Sequence, residues 1–326
     1  MKPVIALIGG FLGAGKTTLI LAAAALLQRR GVHVAVVLND QGDDLVDTQF
    51  ARSLGLSVDQ VAGGCFCCRF PDLIESLDRL ASAEIIFAEA VGSCTDIVAT
   101  TLRPLLRDYP DRFRVAPLTV VLHSAAPFAS PDLEFLNANQ QAEADVLVGW
   151  AADLPAGARR VNAVTGEGVA EWLDEILSGD LQVAERPLTL DYARYAEAEA
   201  SLAWLNTRVT AAAVPAISPA MLVGPLLDRL SAAVPGIVHL KLLVQCEAGY
   251  LKAALTASGS EPAVEGTLDA SPCRVHEILL NVRALTGPEE LQNAVEREFA
   301  ALPARLTWRN LRSFRPAAPV PWHKTV

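Results

Sequence analysis

The sequence predicts an α/β fold with a doubly wound, mostly parallel sheet, followed by a smaller α+β domain of ferredoxin-like outline. Three observations support this prediction. Through about residue 180, short apolar runs of the buried-strand type alternate with helix-prone stretches. Beyond residue 190, predicted strands follow one another more closely, with helices between them. A glycine-rich turn directly follows the first apolar run, Val4–Ile8, and an Ala/Leu-rich segment comes after it.

These patterns divide the chain into four segments. We expect a first domain at residues 1–180, a linker at 181–190, a second domain at 191–312 and a Pro-rich, extended tail at 313–326. The second domain shows no pattern typical of a catalytic site. Its histidines and cysteines are scattered and are interpreted as structural, namely His239, Cys246, Cys273 and His276.

The composition limits the classes of partner. The chain has 326 residues, of which 52% are hydrophobic and 20% charged, and its net charge is -10. This negative charge argues against a surface that binds nucleic acid or anionic membranes. No apolar stretch looks long enough to span a bilayer, so we expect a cytoplasmic protein with no membrane or nucleic-acid partner. Six cysteines in a reducing compartment are expected to be free thiols.

The glycine-rich turn reads G-x-x-x-x-G-K-T from Gly10 to Thr17. A strand before it and a helix after it are the context of a phosphate-binding P-loop, which predicts a P-loop NTPase domain. The ammonium of Lys16 would contact the β- and γ-phosphates, and the hydroxyl of Thr17 would bind Mg²⁺. The residues expected to hold the nucleotide phosphates are Gly10, Gly13, Ala14, Gly15, Lys16, Thr17 and Thr18.

An acidic loop follows the second predicted strand, His33–Leu38. Ligands of doubly wound sheets bind beyond the carboxyl ends of the strands, so this loop can approach Mg²⁺ or a second metal. Asp40 and Asp47 are the preferred candidates in this loop, Asp40 as a metal ligand and Asp47 also for positioning an attacking water. The alternative interpretation is a solvated acidic loop.

A further predicted strand ends in E-x-x-G at Glu89–Gly92. A carboxylate at such a strand end can hold a Mg²⁺-bound water, and a glycine just beyond it can bring a backbone N–H to the γ-phosphate. Cys94 follows and could supply another thiol, although a lone structural cysteine is the preferred interpretation. His123, at the end of the predicted strand Val115–Leu122, is likewise interpreted as structural rather than as a ligand.

Three thiols occur within four positions at Cys65, Cys67 and Cys68, after a Gly-Gly turn. Thiolates favour soft or borderline ions such as Zn²⁺, Cu(I), Co²⁺ or Ni²⁺. A closed structural zinc site would need a fourth protein ligand, and the sequence shows no second C-x-x-C for it. The cluster therefore predicts an open metal site suited to transfer or sensing. Buried apolar cysteines and a purely redox role are the alternatives.

Together these residues resemble the CobW/HypB/UreG group of P-loop metallochaperone GTPases, and its CobW branch in particular. The matching features are Gly10–Thr17, Asn39-Asp40, Gly63–Cys68, Glu89–Gly92 and the turn Thr165–Gly168. The resemblance covers about the first 180 residues well and the remainder loosely. It implies GTP binding, a metal site coupled to the switch regions, and delivery of metal to a client metalloprotein.

One motif departs from the family pattern. Where the family usually has N-K-x-D, this chain reads Trp150-Ala151-Ala152-Asp153. The resemblance implies that Asp153 hydrogen-bonds the guanine base. The Asn and Lys of the motif are absent, and Trp150 could stack on the base instead.

The predicted function is that of a GTPase with Lys16, Asp47 and Glu89 as catalytic residues, whose hydrolysis of GTP loosens the thiolate site. The metal ligands would be Thr17, Asp40 and Glu89 at one site and the three clustered cysteines at the other. The expected cofactors are GTP, Mg²⁺ and Zn²⁺ (or Co²⁺ or Ni²⁺), and the expected partners are a client metalloprotein and a second copy in a homodimer. A nucleotide-gated binding module with little turnover and a small-molecule kinase with an arginine lid are the alternatives.

Overall fold

The computed structural model describes residues 2–42, 45–123, 128, 130–183 and 188–323. The chain divides into two compact units. The first contains Met1–Gln41, Ala51–Ala198 and Ala318–Val326, and the second contains Gly42–Phe50 and Glu199–Ala317. Neither unit is continuous in sequence, since a short segment after the second strand belongs to the second unit and the C-terminal tail returns to the first.

The first unit contains a parallel sheet. Its strands are β1 (Val4–Gly10), β2 (Val34–Asp40), β3 (Ser57–Ala62), β4 (Ile85–Glu89), β5 (Arg114–Val115), β6 (Thr119–Val121), β7 (Val146–Gly149) and β8 (Arg159–Arg160). They are ordered β3-β2-β4-β1-β6-β7-β8, with β5 paired to β1 beside β6. All the described pairings are parallel. The sheet order changes direction around β1, so the carboxyl end of β1 is the expected ligand-binding edge.

Helices accompany these strands. They are α1 (Lys16–Arg29), α3 (Phe70–Arg79), α4 (Arg103–Asp108), α5 (Pro131–Ala142), α6 (Val169–Ser178) and α7 (Tyr192–Ala200), with a π-helical turn at Val98–Leu102 before α4. Most of the remaining helix, α2 (Val46–Ser53), belongs to the second unit. A buried apolar cluster joins α1 and α6 to the sheet through Ile20, Phe87 and Trp172. The indole of Trp172 also donates to the hydroxyl of Thr119 at 3.1 Å, which satisfies its polar atom inside this core. The predicted doubly wound α/β fold is confirmed.

Some local predictions differ from the structure. The predicted strand over 115–122 is divided into β5 and β6, with Pro117 between them, because proline offers no backbone N–H to a ladder. The helical turns that follow β4 start only after Asp96, whose φ of 63° is incompatible with a right-handed helix. The strand β3 was not predicted, because Ser57–Ala62 lies at the sheet edge and has few buried residues.

The second unit contains an antiparallel sheet and two helices. Its elements are β9 (Ala203–Ile217), α8 (Pro219–Ala233), β10 (Ile237–Cys246), β11 (Gly249–Leu255), β12 (Ala263–Gly266), β13 (Cys273–Ala284), α9 (Pro288–Ala300) and β14 (Ala304–Phe314). The strand order is β12-β11-β10-β13-β9-β14. Without the edge hairpin β11-β12, this is the order of a ferredoxin-like split βαβ arrangement. One core cluster contains Leu226, Leu242, Leu280 and Phe299.

The segment Gly42–Phe50 belongs to the second unit. The expected boundaries placed it in the first domain. The backbone N–H of Val46 donates to Oδ1 of Asn281 at 3.0 Å, and Asp47 forms a partly buried ion pair with Lys241. Val46 also packs in a small buried cluster with residues of β10 and β13. The stretch that follows β2 is therefore anchored on an antiparallel sheet. The boundaries expected near residues 180 and 190 remain a proposal.

Among the described residues, no helix combines the length and the apolar character that crossing a membrane requires.

Candidate nucleotide and metal site

The phosphate loop lies between β1 and α1. Gly10 has a φ of 131°, and a Cβ there would lie 2.5 Å from the carbonyl oxygen of Val121, so only glycine fits this strand end. The buried ammonium of Lys16 donates to the carbonyl oxygens of Gly10 at 2.8 Å and Phe11 at 3.1 Å. These bonds hold the one lysine of the motif over its own loop. The loop therefore has the backbone shape and the cation that bind phosphate in this motif.

Thr17 and Glu89 meet at the start of α1. The Thr17 hydroxyl donates to Oε2 of Glu89 at 2.8 Å and lies 3.1 Å from Oε1, and both side chains are buried. A hydroxyl and a carboxylate directed to one point are hard oxygen donors of the kind that Mg²⁺ prefers. The parallel pairing of β1 with β4 sets this meeting, because it places Ile8 opposite Glu89. These two residues therefore fit a magnesium site next to the phosphate loop.

Gly92 lies against the phosphate loop. A Cβ on Gly92 would lie 2.9 Å from the backbone nitrogen of Leu12, so a larger residue would push the two segments apart. The Gly92 carbonyl oxygen accepts a hydrogen bond from the side-chain amide of Gln140 at 2.9 Å, and the same amide donates to the carbonyl oxygen of Cys94 at 2.9 Å. One buried side chain on α5 thus ties the glycine beside the phosphate loop to the cysteine two residues later.

Four thiols converge next to this segment. The Sγ atoms of Cys65, Cys67 and Cys94 all lie within 4.8 Å of one another. The Sγ atom of Cys68 lies 3.4 Å from that of Cys65 and 3.6 Å from that of Cys67. Tetrahedral zinc with bonds of about 2.3 Å separates its sulfur ligands by about 3.8 Å, so the spacing of Cys65, Cys67 and Cys94 is compatible with such an ion, and Cys68 lies beside two of them. The preferred interpretation of Cys94 as a lone structural cysteine is wrong, because the turn after β4 brings it to the other thiols.

The loop that carries Cys65, Cys67 and Cys68, called the thiol loop below, is held in place by Asn39 near the end of β2. The Asn39 side-chain amide donates to the carbonyl oxygens of Val61 at 2.9 Å and Gly64 at 2.7 Å. Its Oδ1 accepts from the backbone N–H of Phe66 at 2.8 Å. The loop then closes in a tight turn in which the N–H of Cys68 donates to the carbonyl oxygen of Cys65. Asn39 thus positions the cysteines, a role that the sequence signalled only through the Asn-Asp pair.

The thiols share one electrostatic environment. Hydrogen bonds with Cys65, Cys68 and Cys94, together with burial, raise the pKa of Cys67 well above its usual value. The hydrogen bond with Cys65 is the main cause that raises the pKa of Cys68 to about 11. The pKa of Cys65 is also raised, since hydrogen bonds from Cys67 and Cys68 lower it but the contact with Cys94 and burial outweigh them. The thiols of Cys65, Cys67 and Cys68 are therefore protonated at neutral pH, and a bound cation would be needed to ionise them.

Glu143, just after α5, anchors the segment that carries Cys94. Its carboxylate accepts from the Val98 backbone N–H at 3.0 Å and from the Thr95 hydroxyl at 3.3 Å. Burial is the main cause that raises the pKa of Glu143 to about 8, and the charge of Asp96 adds to it. Sequence reasoning missed both Gln140 and Glu143. A signal existed, because the two polar residues continue the spacing of the buried Leu133 and Leu136.

The remaining predicted residues are placed as follows. Asp40 ends β2 and is half-buried. Asp47 lies in the second unit in its ion pair with Lys241, and we assign its carboxylate to that pair rather than to an attacking water. Asp153 is exposed in the turn after β7, and the Trp150 side chain before it is 54% exposed. The guanidinium of Arg160 donates to the Trp150 and Ala152 carbonyl oxygens at 3.3 Å, which shapes this turn.

His123 follows β6 and is half-buried beside the phosphate loop. Its ring meets that of Phe11 edge-on, with 5.8 Å between centroids. Burial, and then the charge of Lys16, lower the pKa of His123 below its usual value. The imidazole is therefore neutral at pH 7, and its contacts are consistent with the structural interpretation. In the second unit, Cys246 and Cys273 are not scattered, since their Sγ atoms are 2.8 Å apart.

The chain matches known proteins over its first unit. A sequence model described as "CobW/HypB/UreG, nucleotide-binding domain" matches residues 4–167. The zinc chaperone YjiA of Escherichia coli K12 is 35% identical over 101 residues, which cover 29% of this chain and 31% of that protein. The zinc chaperone CobW of Pseudomonas aeruginosa PAO1 is 28% identical over 217 residues, which cover 50% of this chain and 57% of that protein. The chain thus spans less than two thirds of each relative.

Solved structures were also compared. The structure described as Zn(II)-bound YjiA GTPase from E. coli shares 14% identity at a TM-score of 0.29 and covers 91% of this chain and 99% of its own. The hydrogenase maturation factor HypB from Archaeoglobus fulgidus shares 19% identity at a TM-score of 0.39 and covers 55% of this chain and 91% of its own. These scores are low, so the assignment depends on the sequence model. Because that model matches half of the chain, residues 4–167, the chain belongs to the CobW/HypB/UreG family.

Proposed function

We propose that this protein is a GTP-dependent metallochaperone that binds a transition metal at its clustered thiols and releases it to a client metalloprotein when GTP is hydrolysed. The observation that carries the proposal is the position of Cys94. Its Sγ atom lies within 4.8 Å of those of Cys65 and Cys67, whereas Gly92, two residues earlier, abuts the phosphate loop. In this proposal, the short segment from Gly92 to Cys94 connects a γ-phosphate position to a metal ligand.

The coupling follows from the ligand count. With the segment 92–98 in place, Cys65, Cys67 and Cys94 would bind the metal together, and Cys68 beside two of them would add a fourth thiol, which would be the coordination of a closed zinc site. Movement of this segment after phosphate release would withdraw Cys94 and leave the three thiolates of the loop 65–68. Three protein ligands with an open position are what transfer requires. Gln140 and Glu143 bind several backbone and side-chain groups of this segment. A displacement of Gly92 would therefore move Cys94 as well.

At the nucleotide end, the proposed roles follow the phosphate loop. Lys16 would exchange its bonds to loop carbonyls for the β- and γ-phosphates, and the loop backbone from Gly10 to Thr18 would hold the phosphate oxygens. Thr17 and Glu89 would hold Mg²⁺, with Asp40 beyond them at the end of β2. When bound, Mg²⁺ supplies positive charge that offsets the charge of the transferred phosphoryl group. Gly92 would offer its N–H to the γ-phosphate.

The identity of base and metal is proposed from the relatives and from the remaining motif. The relatives named zinc chaperones support Zn²⁺ as cargo, and thiolate ligands also accept Co²⁺ or Ni²⁺. Asp153 would hydrogen-bond the guanine, and the exposed Trp150 ring could stack on it. Delivery to a client metalloprotein and assembly as a homodimer belong to the same proposal.

Nucleotide hydrolysis across metals and variants tests this function. We expect GTP to be hydrolysed in preference to ATP, and Lys16→Ala to lower turnover on the order of 100-fold, because the site loses its cation for the developing phosphate charge. Turnover by the unchanged chain should respond to Zn²⁺, Co²⁺, Ni²⁺ or Cu(I), and Cys67→Ser should abolish that response.

Cys246→Ser, a thiol of the second unit, is the matched control and should leave the response intact. Turnover that ignores the metals and Cys67 alike would rule out the coupling. Tight nucleotide binding without phosphate release would instead favour a gated binding module with little turnover, an alternative that the altered guanine motif supports.

A further inference from the structure

The C-terminal segment Ala318–His323 lies on the thiol loop. The Val320 N–H donates to Sγ of Cys68 at 3.2 Å, and the Trp322 N–H donates to the carbonyl oxygen of Cys67 at 2.8 Å. The His323 ring then meets the Phe70 ring edge-on, with 4.6 Å between centroids. Tail and loop belong to the same compact unit, so these contacts lie within the first unit.

The C-terminal segment contacts the thiol loop through its backbone N–H groups rather than through the side chains of Val320 and Trp322. The side chains of Val320 and Trp322 are 68% and 64% exposed, whereas Pro321 between them is buried. Pro319 and Pro321 restrict the chain to extended conformations, which lowers the conformational entropy lost on docking. The N–H groups of Val320 and Trp322 thus belong to a stiff segment, residues 318–323, in which Pro321 is the buried apolar residue. We call this segment the strap.

Cys68 is the thiol at which this contact matters. It is half-buried, whereas Cys65, Cys67 and Cys94 are buried, so it forms the accessible rim of the cluster. A backbone N–H directed at a thiolate sulfur stabilises the charged ligand, so such an outer contact strengthens the hold on a bound metal. The strap therefore touches both the rim ligand and the loop that carries it.

We propose that residues 318–323 are a strap that closes the rim of the thiol site, slows the release of the metal, and must be displaced by an acceptor protein before the metal can leave. This inference rests on the proposed function, because it assumes that the thiols carry metal. The acceptor would present an extended segment of its own backbone to the surface formed by Cys67, Cys68 and Phe70.

Two substitutions at one position test the strap in the full-length chain. Val320→Pro removes the N–H donor inside a P-V-P sequence that is already extended, and Val320→Ala retains it. We expect transfer of Zn²⁺ from the protein to a chromophoric chelator to be about fivefold faster for Val320→Pro and unchanged for Val320→Ala, as loss of one hydrogen bond predicts. Equal transfer rates for the two variants would overturn the proposal.

A metal-free measurement separates failure of the strap from failure of the proposed function. Alkylation of Cys68 by iodoacetamide, located by peptide mass spectrometry, should be several-fold faster in Val320→Pro and in a chain ending at Ala317 than in the unchanged protein. Unchanged labelling would show that the strap does not cover Cys68 and would overturn the inference. Faster labelling in a chain that binds no Zn²⁺ would instead overturn the proposed function and, with it, the release role of the strap.

Discussion

Replacing Cys94 with serine is expected to weaken Zn²⁺ binding about 100-fold. Apparent free energies of about 10–16 kcal/mol for four-ligand zinc sites correspond to about 3 kcal/mol per ligand, and each 1.4 kcal/mol is a factor of ten in affinity. Serine is nearly isosteric with cysteine, so the turn that Gln140 and Glu143 hold should persist. The measurement is a competition titration with a zinc chelator, made on the nucleotide-free chain.

Two further substitutions test whether the loss of Zn²⁺ affinity is specific to the thiol cluster. Cys67→Ser should weaken binding to a similar extent, because its Sγ atom belongs to the same group of three. Cys273→Ser removes a buried thiol of the second unit and should leave the affinity unchanged. A Cys94→Ser chain that binds Zn²⁺ as tightly as the unchanged chain would exclude Cys94 from the ligand set.

Substitution of Glu143 by glutamine should flatten the pH dependence of stability. The pKa of Glu143 is raised to about 8, above the 4.5 of an ordinary glutamate, so the folded chain binds a proton that the unfolded chain has lost. The stabilisation is therefore fully present below about pH 4.5 and is lost as the pH rises toward 8, with a slope of at most about 1.4 kcal/mol per pH unit. Between pH 5 and 8 the unfolding free energy should fall by up to about 4 kcal/mol because of this group.

The comparison requires denaturant unfolding of the metal-free chain across that pH range. Glu143→Gln should lose most of the slope, although Asp96 retains a part, since burial also raises its pKa despite the hydrogen bond from Tyr192. Glu134→Gln, on an exposed position of α5, is the matched control and should keep the unchanged chain's profile. Identical slopes in the two variants would contradict the assignment of a buried, proton-binding Glu143.

The sequence predicted those parts of the site that depend on local chain geometry. The phosphate loop could be predicted because glycines, lysine and threonine act within a few residues of one another, between a strand and a helix. Glu89 could be predicted because parallel strands bring their carboxyl ends to one edge. The ferredoxin-like outline could be predicted from the order of strands and helices, since that order nearly fixes the sheet.

What could not be predicted depends on contacts that are distant in sequence. Cys94 was interpreted as structural because nothing local shows that the turn after β4 returns to the loop after β3. The position of Asp47 after β2 predicts a role beside the nucleotide, whereas its ion pair with Lys241 anchors it on the antiparallel sheet. The tail was predicted to be extended, and its docking on Cys67 and Cys68 is made by backbone groups that leave no mark in the side-chain pattern.

We infer that the nucleotide state sets the affinity of the thiol site for metal. The most direct test is the Zn²⁺ dissociation constant of the unchanged chain with Mg²⁺ and either GDP or a non-hydrolysable GTP analogue. We predict tighter binding with the analogue by about 10-fold, within the range of allosteric couplings of about 1–3 kcal/mol, and an equal effect of Zn²⁺ on the ratio of analogue affinity to GDP affinity. Equal Zn²⁺ dissociation constants with the two nucleotides would contradict the claim.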